Sequence, residues 1–316
     1  MHYTQNQKLE QVTEKTLVIG VDIGSESHHA RAFNYRGIEY SSKDFEFGNN
    51  ANGFEAFQGW MQSYVLMFGA KKVIVGFEPT GHYWYNFADF LKALGIMFVM
   101  VAPQHVKHSK EMDDNTQRKD DHKDPRVIAK LVTEGRYIIP YVPEGIYAEL
   151  RTAYGRYCEL TETKVRLENR ITRWFDIYFP EYRKVYKNPE AKTGMMVLRI
   201  APLPADVLKL GADGINQLWR SVKARGAGMK RAETLVAAAK RSTGRAGGDA
   251  ERLDLWQMLE EYELVMRHLE QIQVMLEKLV AQIDGAERLL RIKGVGFITV
   301  AGFFAEVGDL SRFTDP

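Results

Sequence analysis

Four carboxylates stand where an acid is costly unless it has work to do. Asp22 closes the apolar run Leu17-Val18-Ile19-Gly20-Val21, and Glu78 closes Val73-Ile74-Val75-Gly76-Phe77. Asp121 and Asp124 follow within Lys119-Asp120-Asp121-His122-Lys123-Asp124-Pro125-Arg126. An acid at the end of a buried strand is expensive to desolvate unless a cation or a hydrogen-bond network meets it. A D-x-x-D pair at a helix start sets two carboxylates one turn apart on one face. Gathered together, four acids would raise one another's pKa values unless cations neutralised them. Oxygen ligands of this kind suit magnesium or manganese, and two such ions serve phosphodiester transfer. Singly, each acid has a plainer explanation. Asp22 could cap a turn, Glu78 could accept backbone hydrogen bonds, and Asp120, Asp121 and Asp124 suit a helix N-terminus.

The elements that would position these acids are legible over the first hundred residues. Leu17–Gly24 is a continuous apolar run of strand length, with His29–Asn34 and Gly37–Phe47 as its hairpin partners. Phe54, Phe57, Trp60, Met61 and Tyr64 have helical spacing, which predicts a helix over 53–67. Val73–Phe77 is a second buried strand, Tyr83–Leu94 a helix and Ile96–Val101 a third buried strand. Val127, Ile128, Leu131 and Val132 then face one side of a helix from about Asp124 to Gly135. Three antiparallel strands followed by helix–strand–helix–strand is the order of a ribonuclease-H-like mixed α/β sheet. In such a sheet the first and fourth strands lie side by side, which would bring Asp22 and Glu78 together.

Pro140 and Pro143 mark a domain break. Beyond it, 144–179 reads as one long helix, and the Gly/Ala-rich stretch 181–250 as short helices and mobile loops. Leu255, Leu259, Tyr262, Met266, Leu269, Leu276, Val280 and Ile283 alternate at spacings of three and four, with only Gln273 breaking the seam. That heptad pattern over 251–284 favours a coiled coil, either between copies of the chain or against 144–179. Leu289, Leu290 and Ile292, the turn Gly294-Val295-Gly296, and Ile298–Phe304 have the form of a helix-hairpin-helix. Its glycines would let backbone N–H groups approach a phosphate. The expected organisation is therefore a catalytic α/β domain over 1–140, a basic helical and coiled-coil region over 141–285, and a C-terminal domain beginning at 286.

The net charge of +2 conceals an asymmetry. Residues 160–245 hold 18 Lys/Arg against 8 Asp/Glu, whereas residues 246–316 hold 7 against 13. A local excess of that size attracts a polyanion, and nucleic acid is the expected one. Arg166, Arg170 and Arg173 lie beside Trp174 and Tyr178, a basic face with aromatics that could hold a backbone and stack a base. The plainer alternative there is a helix–helix contact. The single cysteine, Cys158, excludes an internal disulfide framework and points to a reducing, cytoplasmic setting. No apolar run has the length of a membrane span. Among the histidines, His28-His29, His105 with His108, and His122 form no evident ligand set; His122 could contact a phosphate.

Together these motifs resemble the DEDD-type insertion-sequence transposases, bridge-RNA-guided recombinases with a RuvC-like catalytic domain. The resemblance is carried by Ile19-Gly20-Val21-Asp22, Glu78-x-Thr80-Gly81-x-Tyr83, Lys119-x-Asp121-x-x-Asp124, and Ile292-Lys293-Gly294-Val295-Gly296 with Thr299. It implies that Asp22, Glu78, Asp121 and Asp124 are catalytic and hold two magnesium or manganese ions. It implies DNA and a guide RNA as partners, with a homo-oligomer assembled through the coiled coil. Lys119, Arg126, Arg166, Arg170, Arg173, Lys293, Gly294 and Gly296 are the candidate nucleic-acid contacts. Pro125 departs from the family pattern but suits the first turn of a helix. The family continues into a domain with a serine nucleophile, for which no serine here can be assigned. The expectation is a fragment that binds metal and nucleic acid without completing strand exchange. Two rival readings are an actin-like ATPase or kinase, suggested by Val21-Asp22-Ile23-Gly24 and its hairpin, and a non-catalytic nucleic-acid-binding scaffold. Between Asp120 and Asp121, the spacing to Asp124 favours Asp121 as the ligand.

Overall fold

The computed structural model describes residues 4–114, 124–186, 192–221 and 228–313. The chain divides into two compact units, one running to Val142 and the other spanning Pro143–Thr314.

In the first unit a short helix α1 (Gln5–Glu10) precedes strands β1 (Thr16–Ile23), β2 (Ser27–Phe33) and β3 (Phe45–Gly48). Helix α2 (Ala51–Phe68), strand β4 (Lys72–Phe77), helix α3 (Tyr85–Ala93) and strand β5 (Met97–Met100) follow, then helices α4 (Pro103–Asp114) and α5 (Asp124–Thr133). The five strands form one sheet in the order β3-β2-β1-β4-β5. β1 pairs antiparallel with β2, and β2 with β3. β1 and β4 are parallel, as are β4 and β5. This mixed α/β sheet is consistent with a ribonuclease-H-like core. The predicted second hairpin strand is shorter than 37–47, because only Phe45–Gly48 joins the ladder while Glu39 makes an isolated bridge to Phe33.

Side chains alternate across a strand, so each face of the sheet has its own core. Leu17, Ile19, Val21 and Ile23 of β1 pack with Phe54, Phe57 and Met61 of α2 and Phe87 and Leu91 of α3. Val18 of β1 and Ile74 of β4 face the other way, against Val127, Ile128, Leu131 and Val132 of α5. The apolar spacing of α5 thus buries one stripe on the β1–β4 seam, as the sequence pattern requires.

The second unit is helical: α6 (Gly145–Tyr178), α7 (Tyr182–Val185), α8 (Lys192–Ile200), α9 (Pro204–Ser221), α10 (Met229–Lys240), α11 (Asp249–Val280), α12 (Ala286–Leu290) and α13 (Phe297–Val307). The two long helices α6 and α11 pack together, with Leu160 and Leu167 against Val265 and Leu269. The heptad seam therefore meets a partner within the chain, although Met266 on it remains 39% exposed. At one end Leu150 and Ala153 of α6 join Leu276 and Val280 of α11 and Val300, Ala301 and Phe304 of α13.

The stretch expected to be short helices and mobile loops does hold short helices, and they enclose a substantial core. Tyr182, Tyr186, Leu198, Val207, Ile215, Trp219, Ala232 and Leu235 are buried together with Phe175 and Phe179 of the α6 end. Three tryptophans tie this core to backbone carbonyls. Trp174 donates to Glu251 O at 3.0 Å, Trp219 to Thr193 O at 3.0 Å, and Trp256 to Leu198 O at 3.0 Å. Buried indoles need such acceptors. Arg252 adds a forked contact to Asp206, at 2.9 Å and 2.8 Å, linking α11 to the first turn of α9.

Candidate active site

The parallel register of β1 and β4 sets the two strand-end acids. Thr16 is paired with Lys72 and the ladder continues in step to Val21 with Phe77. One step further, the same register sets Asp22 opposite Glu78. Neighbouring strands lie about 4.8 Å apart, so these two residues are lateral neighbours. Both are half-buried. Counting back by two from each, Gly20 and Gly76 share their face, and Val18 and Ile74 continue it under α5.

The glycines explain how α5 reaches this face. A Cβ built on Gly20 would lie 1.8 Å from the Pro125 carbonyl oxygen and 3.0 Å from the Ala129 nitrogen. A Cβ on Gly76 would lie 2.4 Å from Val132 Cγ2. At Gly20 the backbone of α5 therefore lies directly on strand backbone, while at Gly76 the Val132 side chain fills the space. Its first residue, Asp124, immediately precedes the Pro125 that touches Gly20, two residues before Asp22. Asp124 is half-buried and Pro125 buried, so the proline fits the first turn as expected.

Asp121 and Lys119 lie outside the described residues, as do Asp120 and His122. Among the described residues no group of three or more His, Cys, Asp or Glu side chains is drawn close enough to hold a metal ion. What the described part supplies is two acids at the neighbouring ends of β1 and β4 and a third at the start of α5. These donors are carboxylate oxygens, which fit a hard divalent cation rather than a soft one.

The hairpin brings a further residue to this face that sequence spacing did not reveal. His29 is the antiparallel partner of Asp22, and cross-strand partners share a face. Its Nδ1 lies 3.0 Å from Asp44 Oδ2, while Arg31 donates to Glu39 at 2.7 Å. Only the β2–β3 register shows that a carboxylate stands beside His29. His28, on the opposite face, is buried in a ring of Phe47, Phe54 and Phe87. Burial lowers its pKa to about 4, and Asn49 partly opposes that shift.

The other candidate contacts are distributed as follows. Arg126 is exposed on α5. In the second unit Arg166, Arg170 and Arg173 are exposed on α6, with Arg166 near Glu162 at 3.1 Å and Arg170 near Glu261 at 3.3 Å. Such exposed pairs are weak and can be exchanged for phosphate contacts. Trp174 is buried at 3% exposure, so the helix–helix contact accounts for it and base stacking does not. Lys293, Gly294 and Gly296 are exposed between α12 and α13, and Gly294 has φ +89°. Additional cations, Lys184, Lys230 and Arg231, line a cleft of about 510 Å³ beside α10.

No helix among the described residues is long and apolar enough to cross a membrane. No curated protein matches the sequence. The family model for DEDD transposases of the IS110 type, described as a transposase, matches residues 19–180. That span contains Asp22, Glu78, Asp121 and Asp124 together with β4, α5 and β1 from Ile19 onward. It covers half of the chain, and the chain belongs to this family of insertion-sequence transposases.

Proposed function

We propose that the chain is a metal-dependent DNA transposase that cuts and joins phosphodiesters, with Asp22, Glu78, Asp121 and Asp124 holding two divalent ions. The observation that carries this reading is the β1–β4 register, which makes Asp22 and Glu78 neighbours on the face that α5 covers from Asp124 onward. Magnesium or manganese bound there would polarise a phosphate and activate an attacking oxygen. The chain's own part is positional. Asp22 sits near the end of β1 and Glu78 follows directly on β4, and the cores on both faces hold those strands in place. Arg126, exposed on the same helix, is suited to a DNA phosphate.

Isothermal titration with manganese tests the assignment. Binding is expected for the unaltered chain and is expected to vanish in both Asp22→Ala and Asp121→Ala. Unchanged binding in the two variants would sink the metal reading.

A guide RNA is the second partner in this proposal. Its support is the excess of 18 Lys/Arg over 8 Asp/Glu in residues 160–245 and the exposure of Arg166, Arg170 and Arg173. RNA that copurifies with the chain should yield one defined small species on sequencing, and its binding should weaken steeply with salt. A random mixture of cellular fragments would count against guidance.

A further inference from the structure

The two acids are carried on strand ends, but the loops that leave those ends are fastened to each other through a residue from neither. Asn49 lies in the short turn between β3 and α2. Its backbone N–H donates to Glu26 O at 2.8 Å, anchoring it to the β1–β2 turn. Its side-chain Nδ2 donates to Ser25 O at 3.3 Å and to Tyr83 O at 3.4 Å. Ser25 is three residues beyond Asp22, and Tyr83 is five residues beyond Glu78. One amide group therefore spans the loop after β1 and the loop after β4.

His28 fastens the same loop after β1 from the core side. It is fully buried, and its Nδ1 accepts a hydrogen bond from Gly24 N at 3.2 Å. With Nδ1 as acceptor, the neutral ring carries its proton on Nε2. Nε2 of His28 and Oδ1 of Asn49 are both buried without a well-formed hydrogen bond among the described residues.

We propose that Asn49, backed by His28, is a positioning residue that couples the loop after Asp22 to the loop after Glu78 and so fixes the spacing of the two acids. This rests on the reading of Asp22 and Glu78 as metal ligands. Asn is suited to the task because it offers two donors and an acceptor on one planar group. Aspartate has the same shape but turns an oxygen toward the Ser25 and Tyr83 carbonyls, replacing attraction by repulsion.

The test compares the full unaltered chain with Asn49→Asp, Asn49→Ala and Asp22→Ala, using manganese alone as the probe. Hydrogen exchange is read in the metal-free proteins, manganese affinity by titration, and folding by thermal unfolding. Both Asn49 variants should speed exchange at Gly24–Glu26 and at Tyr83–Tyr85, leaving the β1 and β4 amides protected. Manganese affinity should fall about tenfold, the scale of one lost hydrogen bond network contact. Unchanged exchange in the two loops would overturn the coupling. A lowered unfolding temperature with unaltered manganese affinity would also overturn it, since that is the signature of a purely structural residue. Manganese binding that survives Asp22→Ala removes the metal reading instead, and the exchange rates still decide whether Asn49 joins the loops.

Discussion

Replacing Gly20 by alanine is expected to cost about 3 kcal/mol of stability and to abolish manganese binding at the acids. The new methyl would sit 1.8 Å from the Pro125 oxygen and 2.8 Å from its carbonyl carbon. Both are backbone atoms of the first turn of α5, so no rotamer change relieves the overlap. The helix must lift off β1 and carry Asp124 with it. Displacing a catalytic group by roughly 1 Å can cost about a hundredfold in rate, which makes function more sensitive than folding here. Gly76→Ala supplies the contrast. Its methyl meets Val132 Cγ2 at 2.4 Å, a side-chain atom, and Val132→Ala in the same chain should restore much of the loss. Chemical denaturation of the three variants decides the matter. A Gly20→Ala protein as stable as the unaltered chain would show that α5 does not rest on the strand backbone.

Acidification should destabilise the first unit through His28. Its folded pKa of about 4 lies below the ordinary histidine value of 6.5, with burial as the main cause. The unfolded chain therefore takes up a proton that the folded one refuses. Stability is complete above about pH 6.5 and falls as the pH drops toward 4, by about 3 kcal/mol over the whole window. His28→Gln removes the titrating group. The stability difference between unaltered and variant chains, followed by exchange of the β1 and β2 amides, should shrink steadily from pH 7 to 4.5. A constant difference across that range would mean that His28 carries no such linkage.

The strands were legible because Leu17–Ile23 and Val73–Phe77 are short continuous apolar runs, the pattern of strands buried on both faces. Helices α2, α5, α6 and α11 were legible from their spacing to within a few residues. The pairing of Asp22 with Glu78 was open only as an order of elements; its register depends on cross-strand packing that one strand's sequence does not express. The roles of Gly20 and Gly76 were hidden for the same reason, since a glycine's value here lies in what presses against it. His29 looked isolated because Asp44 reaches it through the β2–β3 pairing. Around Tyr182, Tyr186, Trp219 and Leu235 the short helices were legible but their common core was not, because its residues come from elements far apart in sequence. The longest of those helices, α9, is interrupted at Gly211, whose φ is +68°. For Trp174 two readings stood open, a binding face suggested by the flanking arginines and a helix–helix contact; its ring turns inward to Glu251, which selects the second.

The alternation along β1 and β4 has a consequence for how this chain can change. Val18, Gly20 and Asp22 share a side, as do Ile74, Gly76 and Glu78, and all six positions are even in number. Loss or gain of a single residue between glycine and acid would send the carboxylate into the aromatic layer formed by Phe54, Phe57 and Phe87. Variation in length is therefore tolerable in the hairpin and in the loops but quantised in steps of two within these strands. Parity, more than residue identity at any one intervening position, is the constraint that descent and engineering must both obey.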